Sequence, residues 1–169
     1  MAAGTRERIA IACCARTQLR DYGKPRIEVE DTDYGTSTSK GLIEGAKKVG
    51  FEITMAEPYV AKFTDATPLV NKIKATKPDL VYVASYPGES VAIVRAVNEI
   101  GVGDSVKMFG GGMVGLQFTP IMESLGSMMN GIVNYNSYVP GMNYPGIKEY
   151  FDRYSKRAVE ARVDPLGYY

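Results

Sequence analysis

Residues 77–90 read KPDLVYVASYPGES. Behind a proline, Asp79-Leu80-Val81-Tyr82-Val83-Ala84 is a short apolar run. Ser85-Tyr86-Pro87-Gly88-Glu89 breaks it, and from Ser90 onward apolar residues recur at helical spacing. A near-continuous apolar run of this length marks a strand covered on both faces, as in a parallel sheet. Open α/β sheets meet their ligands at the carboxyl ends of such strands. Ser85, Tyr86 and Gly88 are therefore the first place to look for function.

The same pattern extends upstream. Residues 51–56 alternate and read as a strand, and residues 58–63 as a loop. Thr64 or Asp65 caps the next helix, with Pro68 in its first turn, where a missing N–H costs nothing. Its core side carries Leu69, Val70 and Ile73. Earlier, a helix capped by Thr36, Ser37 or Thr38 runs to about Val49 and stops at Gly50. Leu42, Ile43, Ala46 and Val49 form its apolar stripe. Residues 31–35 (DTDYG) read as a loop, 26–30 as an alternating candidate strand, and 15–22 as a short helix ended by Gly23. Residues 8–14 (RIAIACC) are either a first strand or a lead outside the fold.

Downstream, a helix over 89–100 carries Val91, Val94, Ala96, Val97 and Ile100, and Gly101 ends it. Residues 106–109 read as a short strand, Gly110-Gly111-Gly112 as the loop after it, 116–125 as a helix and 131–136 as a strand. A loop rich in Pro, Gly and Asn leads to a last helix from Ile147 to about Arg162, with Ile147, Tyr150, Phe151, Tyr154 and Ala158 on one stripe. Strand and helix alternate throughout. That order predicts an α/β fold: a three-layer α/β/α arrangement with a mainly parallel sheet.

The totals narrow the function. The chain has 169 residues, room for one domain, with 45% hydrophobic and 23% charged residues, an ordinary globular composition. A formal charge of +1 offers no electrostatic reason to expect nucleic acid or an anionic membrane as a partner. No stretch is long and apolar enough to span a bilayer. The absence of His removes Ser-His-Asp and Cys-His catalysis and every His metal site. Cys13 and Cys14 are adjacent, so neither a bridge between them nor a zinc or iron–sulfur ligand set is expected. Arg6 and Arg8 ahead of Ile9-Ala10-Ile11-Ala12-Cys13 give too short an apolar stretch for a signal peptide, which needs about 7–15 residues.

Few motifs offer chemistry. Gly110-Gly111-Gly112 is followed by Met113-Val114-Gly115 and matches neither the phosphate-loop nor the dinucleotide-loop pattern. Its glycines are read instead as letting the backbone approach a ligand or a neighbouring helix closely. Glu30, Asp31 and Asp33 form an acidic cluster, but the later strand ends offer no acid and no Lys to complete a receiver-type magnesium pocket. Asp31 and Asp33 read more simply as turn formers. Tyr34, Phe63 and Tyr86 fall in loops. Each one is read as local packing or as a ligand wall, and the three together would suit a small amphipathic ligand. Ser85 adds a hydroxyl and Ser90 a helix-start N–H. No nucleophile has a base within reach, so no enzyme, metal or cofactor is expected.

Asp31-Thr32-Asp33-Tyr34-Gly35, followed by a helix ending in KKVGFEI, resembles the D-x-x-YG unit of type I periplasmic solute-binding proteins, nearest the branched-chain amino acid (Leu/Ile/Val) group that serves ABC importers. Phe63-Thr64-Asp65, Lys77-Pro78-Asp79-Leu80-Val81, Ser85-Tyr86-Pro87, Asn98-Glu99-Ile100-Gly101 and Gly110-Gly111-Gly112 come in that family's order, over about residues 24–169. The resemblance implies a non-catalytic periplasmic receptor with two α/β lobes that close on a small organic solute. The matching region is the second lobe alone, so the expectation is a fragment or isolated lobe spanning 24–169, with residues 1–23 of unclear role. Its implied partners are the small-molecule ligand, the first lobe and an ABC permease, with self-association of the isolated lobe as a further expectation.

By position, the resemblance places Tyr34 against the ligand, Ser85 and Tyr86 on the loop lining the cleft, and Gly111, Gly112 and Met113 on the next such loop. Amino-acid binders of the family often place an acid two residues before the position of Asp65, to hold the ligand's ammonium. Here that position is Phe63. A buried ammonium without a counter-charge is costly, so a carboxylate or an amide fits better than a free α-amino acid. Tyr34, Phe63, Tyr86 and Gly111 are expected at one edge of the sheet, with Tyr86 outside the core. The competing reading is a flavodoxin- or receiver-like cytoplasmic α/β domain, an enzyme or a signalling module.

Overall fold

The computed structural model describes residues 8–14, 33–59, 62–135, 141–163 and 165. Five strands, β1 (Arg8–Cys14), β2 (Glu52–Tyr59), β3 (Leu80–Ser85), β4 (Met108–Met113) and β5 (Ile132–Asn134), form one sheet in the order β2-β1-β3-β4-β5. Every described pairing is parallel. Helices α1 (Asp33–Lys48), α2 (Thr67–Thr76), α3 (Pro87–Ile100), α4 (Thr119–Leu125) and α5 (Ile147–Glu160) alternate with the strands. The expected α/β class is the one observed.

Period-two alternation divides the core into two layers. On one face, Ile9 and Ile11 of β1 and Leu80, Tyr82 and Ala84 of β3 meet Tyr34, Leu42, Ile43 and Ala46 of α1. On the other, Ala10, Ala12, Val81, Val83, Phe109 and Met113 pack with Val70 and Ile73 of α2, Ile93 and Val94 of α3, and Leu125 of α4. The sheet is therefore covered on both sides, which is why β3 reads as an unbroken apolar run.

Residues 8–14, left open between a strand and a lead, form β1 in the sheet interior, between β2 and β3. The sheet thus takes in residues ahead of 24. The candidate helix at 15–22 and strand at 26–30 lie outside the described residues. Helix α1 begins at Asp33, so Thr36, Ser37 and Thr38 are inside it rather than capping it. Strand β2 runs on to Tyr59 through Pro58, where a loop was expected. As β2 is an edge strand, a residue with no N–H can stand there. At α2 the cap position is Ala66, while Asp65 Oδ1 accepts the Thr67 N–H at 2.8 Å.

A polar clamp closes the amino-terminal end of the sheet. Asp79 accepts the Arg8 N–H at 3.0 Å and pairs with Lys107 Nζ at 2.9 Å. Arg8 also donates to the carbonyls of Thr76 at 2.7 Å and Lys77 at 3.0 Å, satisfying the end of α2.

The tyrosine and triglycine edge

The chain runs from β1 outward to β2 on one side and back through β3, β4 and β5 on the other. The carboxyl ends of β1 and β3 are thus the topological switch point, where an open α/β sheet leaves a crevice. Tyr34 enters it from the first turn of α1 and Tyr86 from the turn after β3, with ring centroids 5.8 Å apart and planes at 60°. The Tyr34 hydroxyl donates to the Gly112 carbonyl at 3.0 Å, tying that ring to the end of β4. Tyr86 is half-buried at the N-cap of α3 and extended (φ −91°, ψ 169°).

Gly110, Gly111 and Gly112 are strand residues, not a loop, and all three are buried. Gly110 (φ +142°) and Gly111 (φ +132°) occupy backbone that only glycine takes easily. A Cβ at Gly110 would overlap the Val133 carbonyl of β5. At Gly111 it would stand 2.9 Å from three carbons of the Tyr82 ring, which lies face-on against that glycine. At Gly112 it would overlap the Tyr34 hydroxyl and stand 3.2 Å from that of Tyr82. The glycines bring a strand and two tyrosine side chains close, rather than a neighbouring helix.

Ser85 is fully buried. Its Oγ lies 2.8 Å from Ser90 Oγ, which donates to the Val114 carbonyl at 2.9 Å. A carbonyl only accepts, so Ser90's single proton is spent there and Ser85 is the donor to Ser90. The Val114 N–H donates to the Ser85 carbonyl at 2.9 Å, and the Ser90 N–H to that of Tyr86 at 2.8 Å. Ser85 and Ser90 therefore fasten the lip that carries Tyr86 and do not present a free hydroxyl or N–H, a correction to the expected roles.

Met113 is also corrected: it ends β4, and its fully buried side chain belongs to the core shared with α3 and α4. Its backbone exchanges two 2.9 Å hydrogen bonds with the Asn134 amide. Phe63 does not join Tyr34 and Tyr86. It packs edge-on against Tyr59 at 5.2 Å, in the opposite core layer. Tyr59 donates to the Ala84 carbonyl at 2.7 Å, which keeps this second aromatic pair at the same end of the sheet. Two residues escaped the sequence reading. Tyr82 reads there as an ordinary apolar strand position, and Glu89 as a helix start. Glu89 is buried and accepts the Lys62 N–H, strapping the β2–α2 loop to α3.

Among the described residues no His, Cys, Asp and Glu cluster could hold a metal, and no helix is long and apolar enough to cross a membrane.

The profile of the periplasmic binding protein family matches residues 27–168. Leu/Ile/Val-binding protein homolog 7 of Brucella abortus (strain 2308) is 28% identical over 144 residues, 82% of this chain and 36% of that protein. The chain thus spans about a third of the length of the relatives it matches. In structure it is similar to the leucine-, isoleucine-, valine-, threonine- and alanine-binding protein of Brucella ovis in its closed conformation (TM-score 0.66, 17% identity, 95% of this chain and 35% of that one). It is also similar to a solute-binding protein from R. palustris in complex with 4-hydroxybenzoate (TM-score 0.64, 18% identity, 86% and 35%).

Proposed function

Because the chain belongs to the periplasmic binding protein family, we propose that it is the second, ligand-gripping lobe of a type I solute-binding protein that delivers a small organic solute to an ABC importer. The observation that carries this reading is the convergence of Tyr34, Tyr86 and Gly112 at the switch point of the sheet. The role is recognition without chemistry. The lobe grips one side of the solute, a first lobe closes on the other, and the closed pair docks on a permease on the periplasmic side. When isolated, the lobe self-associates through the β5 edge, where Val133 and Tyr135 are exposed.

The solute class is an amide or an aromatic or aliphatic carboxylate in preference to a free α-amino acid. Its support is the aromatic wall of Tyr34 and Tyr86. The R. palustris neighbour holds an aromatic carboxylate, while the Brucella neighbour is an amino-acid binder. Calorimetry on the protein with its first lobe tests the reading, using leucine, 4-hydroxybenzoate and benzamide. The expected result is binding of one of the two aromatics in preference to leucine. Tight leucine binding with both aromatics ignored would sink the solute class.

A further inference from the structure

Helix α5 carries cations that the fold does not use. Its inner side is marked by the buried Phe151 and Ala158, seven residues apart and so on one stripe. Tyr150, Arg153 and Arg157 form another stripe at helical spacing and are exposed. With Tyr154, Lys156 and Glu160 they line an open groove of about 460 Å³. The Tyr150 and Tyr154 rings lie nearly parallel at 21°, centroids 6.2 Å apart, and Phe151 meets Tyr150 edge-on at 5.4 Å. Lys148 and Asp152 pair with each other at 2.7 Å, so that acid is spent. Among the described residues no carboxylate stands within ion-pair reach of Arg153, Lys156 or Arg157.

We propose that this stripe of α5 docks an acidic segment of a partner protein, with carboxylates on Arg153 and Arg157 and an aromatic side chain against Tyr150. The inference concerns a helix outside the tyrosine and triglycine edge and stands whether or not that edge binds a solute. Tyrosine and arginine are the residue types that carry most of the energy at protein interfaces. The planar guanidinium takes a carboxylate through two parallel hydrogen bonds, which an exposed lysine cannot do. Tyr150 is a rigid anchor, braced by Phe151 yet 44% exposed. From Tyr150 to Arg157 the helix rises about 10 Å, the reach of about three residues of extended chain. Glu160 closes the far end of the groove and repels a further acid there, which limits the acidic run and fixes its direction. A formal charge of +1 for the whole chain gives too little field to gather a polyanion or an anionic membrane, so the match is to a short acidic segment.

The test is an NMR titration of the 169-residue chain with a blocked pentapeptide of four glutamates around one phenylalanine. Its lysine counterpart, sodium phosphate and phosphatidylglycerol vesicles are titrated beside it. The glutamate peptide is expected to shift amides over 150–157, while Lys47 and Lys48, exposed at the end of α1, stay still. Arg153→Ala and Arg157→Ala should each weaken it about two- to fivefold, the range of an exposed ion pair. Arg153→Glu combined with Arg157→Glu keeps good helix formers at exposed positions. That variant should lose the glutamate peptide and take up the lysine one, a swap that a misfolded protein would not give. No shift on α5, equal shifts at Lys47 and Lys48, or unchanged affinity in the charge-reversed variant overturns the proposal. Phosphate reproducing the same shifts reduces the groove to a simple anion site, and tighter binding of the vesicles makes it a membrane contact; either overturns the protein partner.

Discussion

Gly110 offers a quantitative test of how the site edge is built. Replacing it with Ala puts a Cβ into the carbonyl of Val133, on a backbone with φ +142°. The dihedral strain costs about 1–3 kcal/mol. Relief of the overlap means pushing β5 away from β4, because the atom struck is backbone and cannot rotate aside, for about another 1–3 kcal/mol. Gly110→Ala is thus expected to destabilise the chain by about 2–6 kcal/mol, summing those two ranges. Gly41 and Gly45 of α1 provide the control. A Cβ at either meets nothing within 4 Å, so Ala there is expected to add about 0.5–1 kcal/mol each through helix propensity. Urea unfolding with a shared m-value reads all three. A Gly110→Ala midpoint within about 0.5 kcal/mol of wild type, or equal damage at Gly45, would refute the close-approach reasoning.

Further outcomes follow from other contacts. Ser90→Ala removes the middle of the Ser85–Ser90–Val114 chain and leaves a buried carbonyl and hydroxyl short of partners, so thermal melts should show a loss of about 1–3 kcal/mol. Ile93→Ala, fully buried against the sheet, should cost about 2–5 kcal/mol in denaturant titration, whereas Val49→Ala, 69% exposed, should fall within about 0.5 kcal/mol of wild type. The bonds Asp79 accepts from Lys107, and then from the Arg8 backbone, hold its carboxyl below the usual carboxylate range. A depressed folded pKa contributes stability that is full above the unfolded value of about 3.9 and is lost as pH falls through the folded one. Melting temperature measured from pH 6 down to about pH 2 should therefore drop less steeply in Asp79→Asn than in wild type; parallel curves would contradict that assignment.

Much of this fold was legible because its periodicities are strong. The apolar run at 80–84 and the helix behind it needed no outside information, and Pro68 and Gly101 stand where helix-end chemistry places them. Boundaries were less legible where tertiary contact overrides local signals. The triglycine reads as a loop because glycine is depleted from strands, yet it pairs in β4 because Tyr82 and Val133 press against it. Pro58 ends a strand on propensity alone, but an edge strand tolerates it. At the site, Tyr86 could be read from its position after the end of β3, and Tyr34 from the family resemblance. Phe63 could not, since only the three-dimensional packing sends it to Tyr59 in the other layer. Tyr82 was hidden by its place in an apolar alternation. The signal that could have found it is the parallel register, which sets Tyr82 opposite Gly110.

The central claim is that the carboxyl edge around β3 and β4 is the ligand half-site. A backbone amide shift map of the chain titrated with benzamide tests it most directly. The account predicts that Tyr34, Tyr86 and Gly111–Gly112 move together, while Asp79 and Lys107 at the opposite end of the sheet stay still. Shifts confined to the Asp79 end, or spread evenly over the chain, would contradict it.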